Sequence, residues 1–130
     1  MSGAPRGRHT ILVVEDDPDI TESLCDVLLS EGYEVATAAN GREGFDRLRE
    51  IGRPCLILLD LMMPVMSGGE FLAALRQDDA LASIPVVIVS AWTNESAQVR
   101  AQSQGFVKKP ISIDALLEAT SRLCAPGVEG

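Results

Sequence analysis

Apolar residues in this 130-residue chain fall into short unbroken runs that alternate with segments of helical period. Ile11–Val14 is a β-branched and leucine run ending in Glu15-Asp16-Asp17. Asp17 followed by Pro18 predicts a helix N-cap with proline in the first turn. Ile20, Leu24, Val27 and Leu28 then recur on one helical face, with Gly32 as the stop. Tyr33–Ala38 reads as a second strand, and Asn40 as the cap of a helix carrying Phe45, Leu48 and Ile51 and closed by Gly52. Cys55–Leu59 is uniformly apolar and ends at Asp60. Pro64, Ser67, Gly68 and Gly69 predict a loop before a helix with Phe71, Leu72 and Leu75. Ile84 leads through Pro85 into the apolar run Val86–Val89, which ends at Ser90. Residues 93–104 are polar, with only a weak helical face. Phe106–Lys108 is a short strand before Lys109-Pro110, and Ser112 is the expected cap of a last helix with Ile113, Leu116, Leu117, Thr120 and Leu123 on its face.

Strands that are apolar at every position are buried on both faces, the mark of a parallel sheet covered by helices. Five such strands alternating with five helices, joined by right-handed crossovers, predict a doubly wound α/β domain. The expected organisation is a flexible tail over residues 1–10, one domain over 11–124 and a C-terminal tail over 125–130. No internal repeat or second domain is visible.

The polar residues that interrupt this pattern sit at strand ends. Asp16 follows strand one, Asp60 ends strand three, Ser90 ends strand four and Lys109 ends strand five. Open α/β sheets bind ligands at the C-terminal ends of their strands, at the switch point of strand order. If the strand order is 2-1-3-4-5, strands one and three are neighbours there. Glu15, Asp16 and Asp60 would crowd together and require a counter-charge. Hard carboxylate oxygens suit Mg²⁺, which takes one or two carboxylates plus a phosphate. Lys109 adds a point charge for phosphate oxygens, Ser90 a hydroxyl donor, and a carboxylate such as Asp60 can accept a phosphoryl group. Each feature alone has an ordinary reading: a capped turn for Glu15-Asp16-Asp17, another cap for Asp60, a plain strand end for Lys109. Their conjunction at four strand ends favours a site.

Composition narrows the classes. A formal charge of −8 argues against direct nucleic-acid or anionic-membrane binding. No apolar run is long enough to span a membrane, and residues 1–10, MSGAPRGRHT, lack a signal peptide's apolar core. A cytoplasmic location is expected. The three cysteines, Cys25, Cys55 and Cys124, are widely spaced within apolar stretches, which predicts reduced, buried thiols and no zinc site. The single histidine, His9, reads as tail composition.

The stretches ILVVEDDPDI, LILLDLMMPVMSGGEF, VVIVSAW and FVKKP resemble, in order and over nearly the whole chain, the receiver domains of two-component response regulators, the CheY-like family. The resemblance implies a doubly wound (βα)5 flavodoxin-like fold, a five-stranded parallel sheet of order 2-1-3-4-5, with Asp60 as the phosphorylated aspartate. Glu15, Asp16, Asp60 and the Met62 backbone carbonyl would hold Mg²⁺, with Glu15 acting through water. Ser90 and Lys109 would serve the phosphoryl group, Ser90 and Phe106 would be the switch pair, and Lys109-Pro110 would be a cis peptide. Phosphate would come from a sensor histidine kinase or histidine phosphotransfer protein, and the signal would pass to a downstream protein that the sequence does not identify. The implied module is a signalling switch and not an enzyme, its chemistry limited to self-phosphorylation and slow self-dephosphorylation, as a single-domain regulator or an isolated receiver.

Several positions depart from the common pattern. Glu15 replaces aspartate, Ser90 replaces threonine, Phe106 lacks the usual phenol, and Val65 stands where glycine is common. The segment from Ser90 to Lys109 is shorter than usual. Met62 and Trp92, each two positions beyond a site residue, flank the pocket and are expected to tune water access to an acyl phosphate. Three other readings fit the residues less well. A haloacid-dehalogenase-like enzyme needs an aspartate where Met62 stands. A flavin binder needs a glycine-rich phosphate loop that is absent. A phosphorylation-independent interaction module would not need the complete acid, hydroxyl and lysine set.

Overall fold

The computed structural model describes residues 9–63, 65–91 and 97–124. Strands β1 (Thr10–Val14), β2 (Glu34–Ala38), β3 (Leu56–Leu59), β4 (Val86–Ser90) and β5 (Gly105–Lys108) alternate with helices α1 (Pro18–Ser30), α2 (Gly41–Ile51), α3 (Gly68–Gln77), α4 (Ala97–Gln102) and α5 (Ile113–Leu123). All pairings are parallel, in the order β2-β1-β3-β4-β5. The doubly wound architecture read from the apolar runs is therefore the observed one. The expected tails lie almost entirely outside the described residues, and β1 begins at Thr10.

The three inner strands have no exposed apolar side chain. Alternate residues feed two cores, one on each face. Ile11, Val13, Leu56, Leu58, Val87 and Val89 pack with Leu24, Leu28 and Leu116 on one side. Leu12, Val14, Ile57, Leu59 and Ile88 pack with Leu48, Phe71, Leu72 and Leu75 on the other. Capping follows the sequence closely: Asp17 accepts from the Asp19 amide, Asn40 from Glu43 and Ser112 from Ala115. Gly32 and Gly52 adopt positive φ at the ends of α1 and α2. Ser67, read as part of a loop, instead caps α3 in a reciprocal capping box with Glu70.

An arginine of α3 helps to hold the short α4, whose Val99 packs on the core. Arg76, in the last turn of α3, donates to the Gln102 carbonyl through Nε (2.9 Å) and Nη2 (2.7 Å). Its Nη1 donates to the carbonyls of Ala82 and Ile84, both at 2.8 Å. Nη2 also reaches Gln104 Oε1, which accepts from the Val86 amide at 2.7 Å. The guanidinium thus ties the end of α4 to the α3–β4 turn and to the start of β4.

The expectation of three reduced cysteines is corrected. Cys55, just before β3, and Cys124, capping α5, form a disulfide with Cα atoms 5.4 Å apart, and only Cys25 is free. The pairing joins positions 69 residues apart, a proximity created by packing α5 against the sheet.

Candidate functional site

The site lies at the C-terminal edge of β1, β3, β4 and β5. Backbone hydrogen bonds extend the sheet through its acidic residues: the Asp60 amide donates to the Val14 carbonyl (3.0 Å) and the Glu15 amide to the Ala38 carbonyl (2.9 Å). Both carboxylates are buried, each residue only 4% exposed, whereas Asp16 faces solvent. One oxygen from each of Glu15, Asp16 and Asp60 lies within 4.8 Å of the others.

The Lys109 ammonium enters this cluster 2.9 Å from Glu15 Oε1 and 3.7 Å from Asp60 Oδ2. It is placed by the Lys109 amide, which donates to the Ser90 carbonyl at 3.0 Å, and by the cis Lys109-Pro110 peptide. Glu15 Oε2 accepts from the Asp17 amide at 3.1 Å, and Asp60 Oδ1 from the Met62 amide at 3.3 Å. Glu15 Oε1 pairs with the Lys109 ammonium, its one close cationic neighbour among the described residues.

Burial pushes both the Glu15 and Asp60 carboxyls above the ordinary carboxylate range. Lys109 pulls both back. The Asp60 charge raises Glu15, and the Asp16 charge raises Asp60. One ammonium does not neutralise three carboxylates, and a buried anion is costly without further compensation. The donor set is all oxygen, two of its three carboxylates buried. These features fit a small hard cation.

Ser90 ends β4 fully buried, opposite Lys108 in register. Phe106 is half-buried on β5 and packs with the core under α3 and α4. The Met62 side chain projects into solvent at the mouth, 67% exposed. Trp92 lies outside the described residues. The structure therefore brings together Glu15, Asp16, Asp60 and Lys109, and sets Ser90 on the adjoining strand.

Gly68 was missed as a site residue. An added Cβ there would collide with the Asp60 carbonyl oxygen and stand 2.6 Å from Leu61 Cα. Its amide donates to the Leu61 carbonyl at 3.1 Å. The start of α3 thus rests directly on the backbone of Asp60. The only sequence signal was a glycine one position after a capping serine. Val65, in the same loop, holds φ at 68°, a costly conformation for a β-branched residue.

The family profile of the response regulator receiver domain matches residues 11–121. The polar-differentiation response regulator DivK of Brucella anthropi is 35% identical over 112 residues, covering 84% of this chain and 90% of that protein. Hybrid signal transduction histidine kinase D of Dictyostelium discoideum is 38% identical over 110 residues, covering 82% of this chain but 7% of the kinase. The crystal structure of response regulator TrrA from Thermotoga maritima, in complex with Mg²⁺-BeF, superposes with a TM-score of 0.79 at 32% identity, covering 88% of this chain and 97% of that one.

Proposed function

This chain belongs to the response regulator receiver domain family, and on that basis we propose that it is a phosphorylation switch whose phosphoacceptor is Asp60. The observation that carries the reading is the Lys109 ammonium set between two buried carboxylates at the switch point of the sheet. Receiver domains are phosphorylated by histidine kinases. Here an Asp60 carboxylate oxygen would attack the phosphorus of a phosphohistidine. The new O–P bond forms as the P–N bond breaks, and the imidazole leaves with the bonding pair. Lys109 pairs with the phosphoryl oxygens, and Ser90 donates a hydrogen bond to the transferred group.

Glu15, Asp16, Asp60 and the Met62 carbonyl are the residues that would hold Mg²⁺. When bound, the ion supplies charge neutralisation for a dianionic group entering an acidic pocket. Met62 and Trp92 are assigned to limiting water access to the acyl phosphate. Ser90 and Phe106 are assigned to carrying the change from the site to the α4–β5 region. The chain is read as a cytoplasmic module, a receiver over residues 11–124 that acts through a downstream protein.

A groove of about 340 Å³ lined by Ile20, Pro110 and Ile111 opens beside Lys109 and suits the phosphodonor protein. Its apolar walls sit next to the acceptor, so a partner docked there would bring its phosphohistidine to Asp60.

The test is intact-mass labelling with acetyl phosphate and Mg²⁺. Wild type is expected to gain one phosphoryl group, and Asp60→Asn to gain none while keeping its circular dichroism spectrum. Unlabelled wild type, under conditions that label another receiver, would favour the phosphorylation-independent interaction module instead. Ile20→Glu is expected to slow transfer from a phosphorylated kinase or phosphotransfer protein while leaving acetyl phosphate labelling unchanged.

A further inference from the structure

At the edge of the sheet opposite Asp60, Cys55 and Cys124 are covalently paired. Five residue steps of extended chain lead from Cys55 to Asp60, roughly 16 Å. Cys55 is partly exposed and Cys124 is buried, 4% exposed. The bond closes the segment containing β3, α3, β4, α4, β5 and α5, which holds Asp60, Ser90, Phe106 and Lys109. It joins the residue just before the strand that leads to the acceptor to the C-cap of the final helix.

At that end of α5 the Tyr33 hydroxyl also donates to the Cys124 carbonyl at 2.6 Å. Tyr33, Leu116 and Ala119 pack in the core beside it, non-covalent contacts that do not require the cross-link. Cys25 is set apart on α1, beside a cleft shared with Glu22 and Arg47. Burial and the neighbouring Asp26 and Glu22 charges push its thiol up, which disfavours the reactive thiolate.

We propose that Cys55 and Cys124 form a reversible redox latch, oxidised by small-molecule disulfides of the glutathione class and reopened by the corresponding thiols. The accessible Cys55 thiolate attacks one sulfur of the small disulfide. A mixed disulfide forms and the first small thiolate leaves. Cys124 thiolate then attacks the Cys55 sulfur, closing the protein disulfide and expelling the second small thiolate. Two electrons pass from the protein dithiol to the small disulfide, and its two protons end on the two thiols released. Closure fixes the end of α5 to the base of β3. Opening removes that covalent tie, while the Tyr33 hydroxyl bond and the apolar packing stay available.

The test uses the full chain and a Cys25→Ser variant, each equilibrated in buffers of stepped reduced-to-oxidised glutathione ratio, then acid-quenched, alkylated and peptide-mapped. A single transition is expected in both proteins, with loss of two thiols and appearance of a Cys55–Cys124 linked peptide. The oxidised form is expected to melt roughly 5–15 °C higher than the reduced form. Acetyl phosphate labelling of Asp60 is expected to agree within twofold between the two states. A pair that stays reduced throughout, or stays linked even in the most reducing buffer, would overturn the latch. So would pairing that includes Cys25, or arrest at a glutathione adduct. Thiol counts and melting do not depend on Asp60 chemistry, so failure here is separable from failure of the phosphoacceptor reading.

Discussion

At the C-terminal edge of the sheet, Glu15 and Asp60 are buried around one ammonium, with the Asp16 carboxylate close by. At the N-terminal edge, the buried polar groups are paired: Tyr33 hydroxyl with the Cys124 carbonyl, Thr120 hydroxyl with the Leu117 carbonyl, Cys55 with Cys124. Both edges belong to the same strands and the same two cores, so strand packing does not explain the difference. The base satisfies its polar groups within the chain. The site leaves ligand capacity open and bears the electrostatic cost, as expected where local rules yield to function. An edge built for stability alone would not bury two carboxylates against one lysine.

Lys109→Met is the most severe way to break this contrast. It removes the only ammonium among the described residues that pairs with the buried carboxylates, and is expected to cost about 2–4 kcal/mol at neutral pH without metal. Added Mg²⁺ should recover part of that loss in urea unfolding. A variant as stable as wild type in EDTA would show that the carboxylates do not depend on Lys109.

Gly68→Ala attacks the same edge through the backbone. The new methyl group can be accommodated only if α3 shifts away from Asp60, at about 2–3 kcal/mol. Phosphoryl labelling should fall together with stability. Loss of stability with full labelling would mean that the shift spares Asp60.

Tyr33→Phe probes the base. It leaves the Cys124 carbonyl without its 2.6 Å donor, at about 1–2 kcal/mol, and should leave labelling at Asp60 intact. Val65→Gly relieves a β-branched residue at φ 68° and is expected to raise stability by about 1 kcal/mol, read from the denaturation midpoint.

The gentlest probe is pH. The folded pKa values of Glu15 and Asp60 are raised, so the folded chain binds more protons than the unfolded chain between the ordinary carboxylate range and those raised values. Their contribution is fully present below the ordinary range and is lost as pH rises through the folded pKa values. Metal-free protein should therefore lose stability as pH rises through that window, and Mg²⁺ should flatten the slope. A metal-free slope of the opposite sign would contradict the burial of the pair.

Much of this arrangement was legible along the chain because it is local. Runs such as Ile11–Val14 and Val86–Val89 carry their own period, and Asp17, Asn40 and Ser112 are caps whose hydrogen bonds reach only two or three residues. Asp16, Asp60, Ser90 and Lys109 stood out because each ends an apolar run, and parallel strands bring such ends to one edge. The six-residue α4 was nearly invisible, since two turns are too few to show a helical face and Arg76, far away in sequence, helps hold it.

The sequence by itself determined the alternation of elements, the parallel sheet and the residues gathered at its C-terminal edge, because short-range periodicity and strand-end position encode them. Tertiary structure alone decided that Lys109 stands between Glu15 and Asp60, that Gly68 lies against the Asp60 backbone, and that Cys55 meets Cys124. Each joins groups from separate elements, and such distances are set by how helices pack on the sheet, which no local pattern records.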